Sequence, residues 1–261
     1  MNQEPSFFDF AAEVGLTKHI GNVGATEELL ALCHIGPGSS VLDVGCGAGV
    51  TACFIARRYH CRVVGVDILP KMVERSRQRA EKEGLAERVE FRVADAQALP
   101  FEDGRFDAVI TESVTAFPED KQKAVREYAR VTKPGGYVGL NESTWLKTPP
   151  PPDMVAWAQQ DVGASVMPLT TEGWQALLEG AGLTEIVTQV KAIDVQAEAK
   201  GIVQRYGMGG MLAILGRTLR LYLRSPAYRR FVKSVRQGGV LPEHLDEYFG
   251  YGLYVGKKVA E

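Results

Sequence analysis

Residues 41–50 read VLDVGCGAGV. An apolar run reaches Asp43, and glycines follow at alternate positions: Gly45, Gly47 and Gly49. A buried strand that stops at a glycine turn and opens into a helix leaves a nucleotide-sized cavity. Glycine takes positive φ without a Cβ penalty and lets backbone approach a ligand. The free amides at the start of the next helix favour an anionic group. The dinucleotide fingerprint G-x-G-x-x-G, begun at Gly45, needs glycine at its sixth position, where Val50 stands. The pattern that fits is D-x-G-x-G-x-G, on Asp43, Gly45, Gly47 and Gly49.

Outward from this loop the chain alternates. Strands are predicted at residues 40–44, 62–66, 89–93, 106–111 and 137–141, with helices at 50–59, 70–83 and 119–131. Pro70 suits a first helical turn. Lys133-Pro134-Gly135-Gly136 stops the last of these helices. Ahead of the loop, residues 5–35 read as helical until Gly36-Pro37-Gly38 breaks them. Strands separated by single helices give a doubly wound, mostly parallel sheet in an α/β fold. Ligands of such sheets sit at the carboxyl ends of the strands. That rule sets Asp43, Asp67, Asp95 and Glu112 along one edge.

The second half differs. Prolines 149–152 form a stiff linker. Helices are predicted at 153–161 and 171–181, and a strand at 185–193. Residues 196–244 are helical and basic, and 249–259 supply a closing strand. The 261 residues are 45% hydrophobic and 24% charged with formal net charge −2, which gives no whole-chain signal for nucleic acid. The first residues, MNQEPSFFDF, lack a secretory pattern, and no apolar run is long enough to span a bilayer. Cys33, Cys46, Cys53 and Cys61 show neither metal-ligand spacing nor a disulfide framework. Reduced thiols, no metal site and a cytoplasmic protein are expected.

The second strand ends VVGVDI, so Asp67 lies 20 positions beyond Gly47. A carboxylate there can accept from both ribose hydroxyls. The third strand leads into Ala94-Asp95-Ala96, where Asp95 can accept from an exocyclic adenine amine. VLDVGCGAGV, VVGVDI, VADAQALPFEDGRFDAVI and VTKPGGYV, in this order over residues 36–142, resemble the class I S-adenosylmethionine-dependent methyltransferases. The nearest likeness is to the group that holds ubiquinone and menaquinone biosynthesis enzymes and many small-molecule methyltransferases. The resemblance implies a Rossmann-like sheet of seven strands with the last antiparallel, and S-adenosylmethionine as cofactor, leaving as S-adenosylhomocysteine. It implies that Gly45 and Gly47 approach the methionine part, with Gly49 completing the loop. Asp67 would hold the ribose, Ile68 would pack on adenine, and Asp95 and Ala96 would touch the adenine edge. Glu112 and Val114 would border the methionine end and the acceptor. Asp43 either orients the loop or touches the ligand, and Cys46 is a small spacer.

Three regions follow: an N-terminal helical cap at 1–35, a cofactor-binding core at 36–195 and 247–261, and a basic helical insertion at 196–246. The insertion reads as a lid, a dimer contact or a surface for anionic lipid. The implied reaction moves a methyl group to a small, lipophilic acceptor by in-line displacement. Alignment supplies much of the rate, and a general base is needed only for a hydroxyl or an acidic carbon. Candidate bases are His19, Glu112 and Glu142, with His244 a fourth. Expected partners are the acceptor and a second copy of the chain, with no nucleic acid. The competing function is a catalytically inactive cofactor-binding partner or regulator of the same fold.

Overall fold

The computed structural model describes residues 5–17, 19–161, 168–237 and 242–260. Val41 and Leu42 of strand β1 (Ser40–Val44) are both fully buried. They point to opposite faces of the sheet, and helices cover both. After β1 come α3 (Val50–Tyr59), β2 (Arg62–Asp67), α4 (Pro70–Lys82), β3 (Val89–Val93), β4 (Phe106–Glu112) and α5 (Lys121–Val131). Pro70 opens α4, and the Asp120 side chain caps α5 by accepting from the Lys123 N–H at 2.8 Å. Then come β5 (Thr132–Trp145), α6 (Pro152–Asp161), β6 (Leu169–Thr170), α7 (Thr171–Glu179) and β7 (Leu183–Ala192). The chain closes with α8 (Val195–Arg224), α9 (Pro226–Gln237), α10 (Leu245–Tyr248) and β8 (Phe249–Lys258). Two helices, α1 (Phe7–Val14) and α2 (Asn22–Leu32), precede β1.

The strand order is β3-β2-β1-β4-β5-β8-β7, with β6 paired to β5 beside this path. β1, β2, β3, β4 and β5 run parallel, and β8 is antiparallel to both β5 and β7. The sheet has eight strands where seven are expected. The addition is β6, which meets β5 only at Thr144–Leu169 and Trp145–Thr170. β5 runs well past the expected residues 137–141, because β8 pairs with it from Tyr137 to Trp145. One core layer holds Leu29, Ile55, Val63, Phe91 and Ile110; the other holds Phe106, Tyr128, Leu140, Trp174 and Tyr254.

Order reverses between β1 and β4, so their crossovers leave on opposite faces and a crevice opens at the carboxyl ends. Residues 5–35 are not one helical run. Gly15 ends α1 at φ +73°, Gly21 opens α2 at φ +89°, and Leu16, Thr17 and His19 between them line this crevice. Asp194 caps α8 through the N–H groups of Gln196 and Ala197. α8 is kinked at Gly207, whose φ of 62° and ψ of 172° are not helical.

Candidate active site

The crevice is a cavity of about 760 Å³. Its floor is the loop after β1, where Gly45, Gly47 and Gly49 all take positive φ. The Gly45 and Cys46 N–H groups donate to the Val66 carbonyl at 2.7 and 2.9 Å, which ties the loop to β2. A Cβ on Gly45 would stand 2.3 Å from Val114 Cγ2, and one on Gly47 would stand 2.1 Å from Thr17 Cγ2. Glycine is required there because the loop after β4 and the linker after α1 close directly upon it. Gly49 does not line the cavity. Its missing side chain admits Ser76 of α4 and Phe91 of β3, at 2.6 and 2.9 Å from a Cβ built there.

The acidic edge assembles as the strand ends dictate: Asp43, Asp67, Asp95 and Glu112 all line the cavity, with Ile68, Ala96, Cys46 and Val114. Each oxygen of Asp67 accepts one backbone N–H, from Gly47 and from Leu69, both at 2.9 Å. That leaves lone pairs on both oxygens for two ligand hydroxyls. Burial raises the Asp67 pKa, and the two N–H donors oppose it. Asp95 holds the Gln97 N–H at 2.8 Å. Ile68 is 64% exposed although it is large and apolar, and it faces the cavity. Asp43 is buried with Oδ2 unpartnered. Burial pushes its pKa well up, with Glu112 and Asp67 adding to the effect. Cys46 stays a thiol, because burial and the nearby Asp43 and Asp67 hold its pKa well up.

The opposite wall carries a second group. Glu112 ends β4 and accepts from Thr26 Oγ1 at 2.7 Å and from Thr51 Oγ1 at 2.8 Å. His19 Nε2 lies 3.3 Å from Glu112 Oε2, and both side chains are buried. The His19 Nδ1 sits 3.1 Å from the Ile20 carbonyl, a partner only for a protonated Nδ1. Nε2 is then the lone-pair nitrogen, and the Arg205 guanidinium of α8 donates to it. Burial lowers the His19 pKa, with Glu112 opposing and Arg205 assisting, so the imidazole is neutral near pH 7. Burial works to raise the Glu112 pKa. His19, Arg205 and the two threonine hydroxyls outweigh it and hold the carboxyl below its ordinary value.

Glu142 is not brought into this group. It is 1% exposed and lies outside the cavity lining. Its Oε1 accepts the Val114 and Thr115 N–H groups at 2.9 and 2.6 Å, which fixes the loop after β4. His244 is exposed near Glu247, also outside the cavity. Sequence reasoning gave no role here to Thr17, Thr26, Thr51 or Arg205. Tyr206 adds to them: its hydroxyl meets the Thr17 N–H at 2.6 Å and so ties α8 to the cavity linker. These contacts join residues as far as 189 positions apart, with no periodic or motif signal to announce them.

The profile of the methyltransferase domain family matches residues 41–136, the stretch from β1 to the start of β5. An uncharacterised protein of Haemophilus influenzae is 30% identical over 90% of this chain and 92% of its own. The 27-O-demethylrifamycin SV methyltransferase of Amycolatopsis mediterranei is 36% identical over 60% of this chain, which spans 58% of that relative. Among solved structures, the [4+2]-cyclase SpnF superposes with a TM-score of 0.73 at 21% identity, covering 97% of this chain and 94% of that one. The fold is that of a doubly wound methyltransferase sheet. The chain belongs to the class I S-adenosylmethionine-dependent methyltransferases, and its cofactor is S-adenosylmethionine.

The residues present fit that cofactor. The orphaned Asp43 Oδ2 can take a cationic amine, Asp67 has lone pairs for the ribose hydroxyls, and exposed Ile68 offers an apolar face for adenine.

Proposed function

We propose that this chain methylates a small, lipophilic molecule and that His19 and Glu112 act as a base pair for an acceptor that must lose a proton. Bound S-adenosylmethionine supplies an electrophilic methyl group on sulfur. Gly45, Gly47 and Asp43 would hold its amino-acid part, Asp67 its ribose, and Ile68, Asp95 and Ala96 its adenine. The observation that carries the proposal is the buried His19–Glu112 pair at 3.3 Å in the wall of the cavity that Asp43, Asp67 and the glycine loop line. His19 is neutral and can accept a proton at Nε2 once Arg205 swings aside. Glu112 then stabilises the imidazolium across that gap. Leu16, Thr17 and His19 of the α1–α2 linker line the cavity. Phe7 and Phe8 of α1 and Phe117 after β4 supply an apolar wall, with Phe8 and Phe117 edge to face at 4.9 Å. That wall supports a lipophilic acceptor rather than a small polar one.

The test is turnover of S-adenosylmethionine to S-adenosylhomocysteine across a panel of hydroxyl, amine, thiol and carbon acceptors of graded lipophilicity. His19→Ala should lower turnover of a hydroxyl or carbon acceptor by roughly 10²–10⁴-fold and leave S-adenosylhomocysteine affinity within a few fold. Unchanged turnover in His19→Ala removes the base role. No turnover on any acceptor, with cofactor binding intact, favours a binding partner or regulator instead.

A further inference from the structure

α8 has two faces that do different things. Before the kink at Gly207, Arg205 reaches the cavity wall and Tyr206 reaches Thr17; after it, Ile214 is buried, on the side of the helix away from the exposed leucines. Beyond the kink at Gly207, the outer face presents Met208, Leu212, Leu215, Leu219 and Leu223 to solvent. These five are 71%, 64%, 64%, 57% and 68% exposed. Their spacing of i, i+4, i+7, i+11 and i+15 puts them on one stripe, about 22 Å long at the α-helical rise. Soluble surfaces do not leave such a row open without a use.

The charge around the stripe says what covers it. Val195–Arg224 and Pro226–Gln237 with the connecting Ser225 hold nine Lys or Arg against a single Glu, in a chain whose net charge is −2. Arg220 and Arg224 are exposed on α8 to one side of the stripe, and Arg229 and Lys233 are exposed on α9. α9 is held beside α8 through α1, where Phe10 packs on Phe231 with ring centroids 5.2 Å apart. An apolar row edged by arginines matches an anionic lipid surface, with leucines entering the acyl boundary and guanidinium groups meeting phosphates. Pairing two copies through this face would set two strongly cationic hairpins against each other.

We infer that the outer face of α8, with α9 beside it, docks the protein on anionic bilayers. The kinked helix then links the docked face to the cavity wall through Arg205. The test is flotation of the full chain with phosphatidylcholine vesicles, with and without phosphatidylglycerol, at low and high salt. The expected result is partition onto the anionic vesicles alone, weakened by salt. Leu212→Asp with Leu219→Asp should cut the partition by roughly tenfold or more, and so should Arg220→Gln with Arg224→Gln, which leaves the apolar row in place. Unchanged S-adenosylhomocysteine binding in both double variants shows that they are folded. Failure to partition, or partition that the leucine variant leaves unchanged, overturns the inference. So does a dimer that the leucine variant dissolves while vesicles bind neither form.

Discussion

Gly47 holds φ at +52°, and a methyl group added there would lie 2.1 Å from Thr17 Cγ2. Two costs fall on Gly47→Ala. Left-handed backbone for a residue with a Cβ costs about 1–2 kcal/mol, and the linker at Thr17 must move off the cavity. The variant should unfold at lower denaturant and bind S-adenosylhomocysteine more weakly. Adding Thr17→Ser removes the clashing methyl but keeps the hydroxyl for Tyr206, so it should restore affinity and not the backbone cost. If Thr17→Ser restores nothing, the linker does not seal the cavity as described. At this scale the acids of the site were legible because a strand end announces itself. Asp43, Asp67 and Glu112 each follow an apolar run and Asp95 follows the alternating VEFRVA, and the sheet rule brings them together. His19 and Glu112 were named separately, but their pairing was not legible. They are brought together by the turn that divides the helical stretch read over residues 5–35 into α1 and α2. Arg205 was legible only as one charge in a basic segment.

β4 ends at Glu112, and the turn that follows is held by a carboxylate on the neighbouring strand β5. Burial raises the Glu142 pKa to about 7, against the N–H groups of Val114 and Thr115, from an ordinary value of 4.5. The folded state therefore holds this proton more tightly than the unfolded chain does. The group's contribution to stability is full below about pH 4.5 and is lost as pH rises through about 7. Glu142→Gln keeps a carbonyl oxygen for both N–H groups and cannot ionise. Its unfolding free energy, followed by denaturant titration at a series of pH values, should lack the decline that the native chain shows over that range. His19, whose pKa is lowered, titrates in both proteins and cancels in the difference. Parallel profiles would mean that Glu142 is ionised in the fold without penalty. Most elements were legible from period and breakers: Pro70 and the glycine loop mark their helices, whereas the Asp120 cap, which starts α5 at Lys121 and not at residue 119, was not read. The length of β5 and the short β6 were not, because strand ends there are set by partners far along the chain. β8 extends β5 to Trp145, although the residues from Lys133 to Gly136 read as a break.

The molecule as a whole is a sheet with one working edge. The order β3-β2-β1-β4-β5 reverses beside β1, and the cavity lies over that reversal. The proposed donor side comes from β1, β2 and the residues after β3. The proposed acceptor side comes from β4 and from the two pieces of chain that lie over it, the α1–α2 linker and α8. The resemblance in residues 36–142 named in advance the residues that line the proposed donor side. The pieces that cross the mouth come from outside that stretch, so their chemistry became visible only once folded. Among the described residues no helix is long and apolar enough to cross a membrane. The acidic edge and the glycine cradle would bind the adenosyl cofactor, with Asp67 on the ribose. Titration calorimetry of S-adenosylhomocysteine into the native chain and into Asp67→Ala tests it most directly. The expected result is saturable one-to-one binding that Asp67→Ala weakens by about 1–3 kcal/mol. No binding by the native chain, or equal affinity in the two proteins, would contradict it.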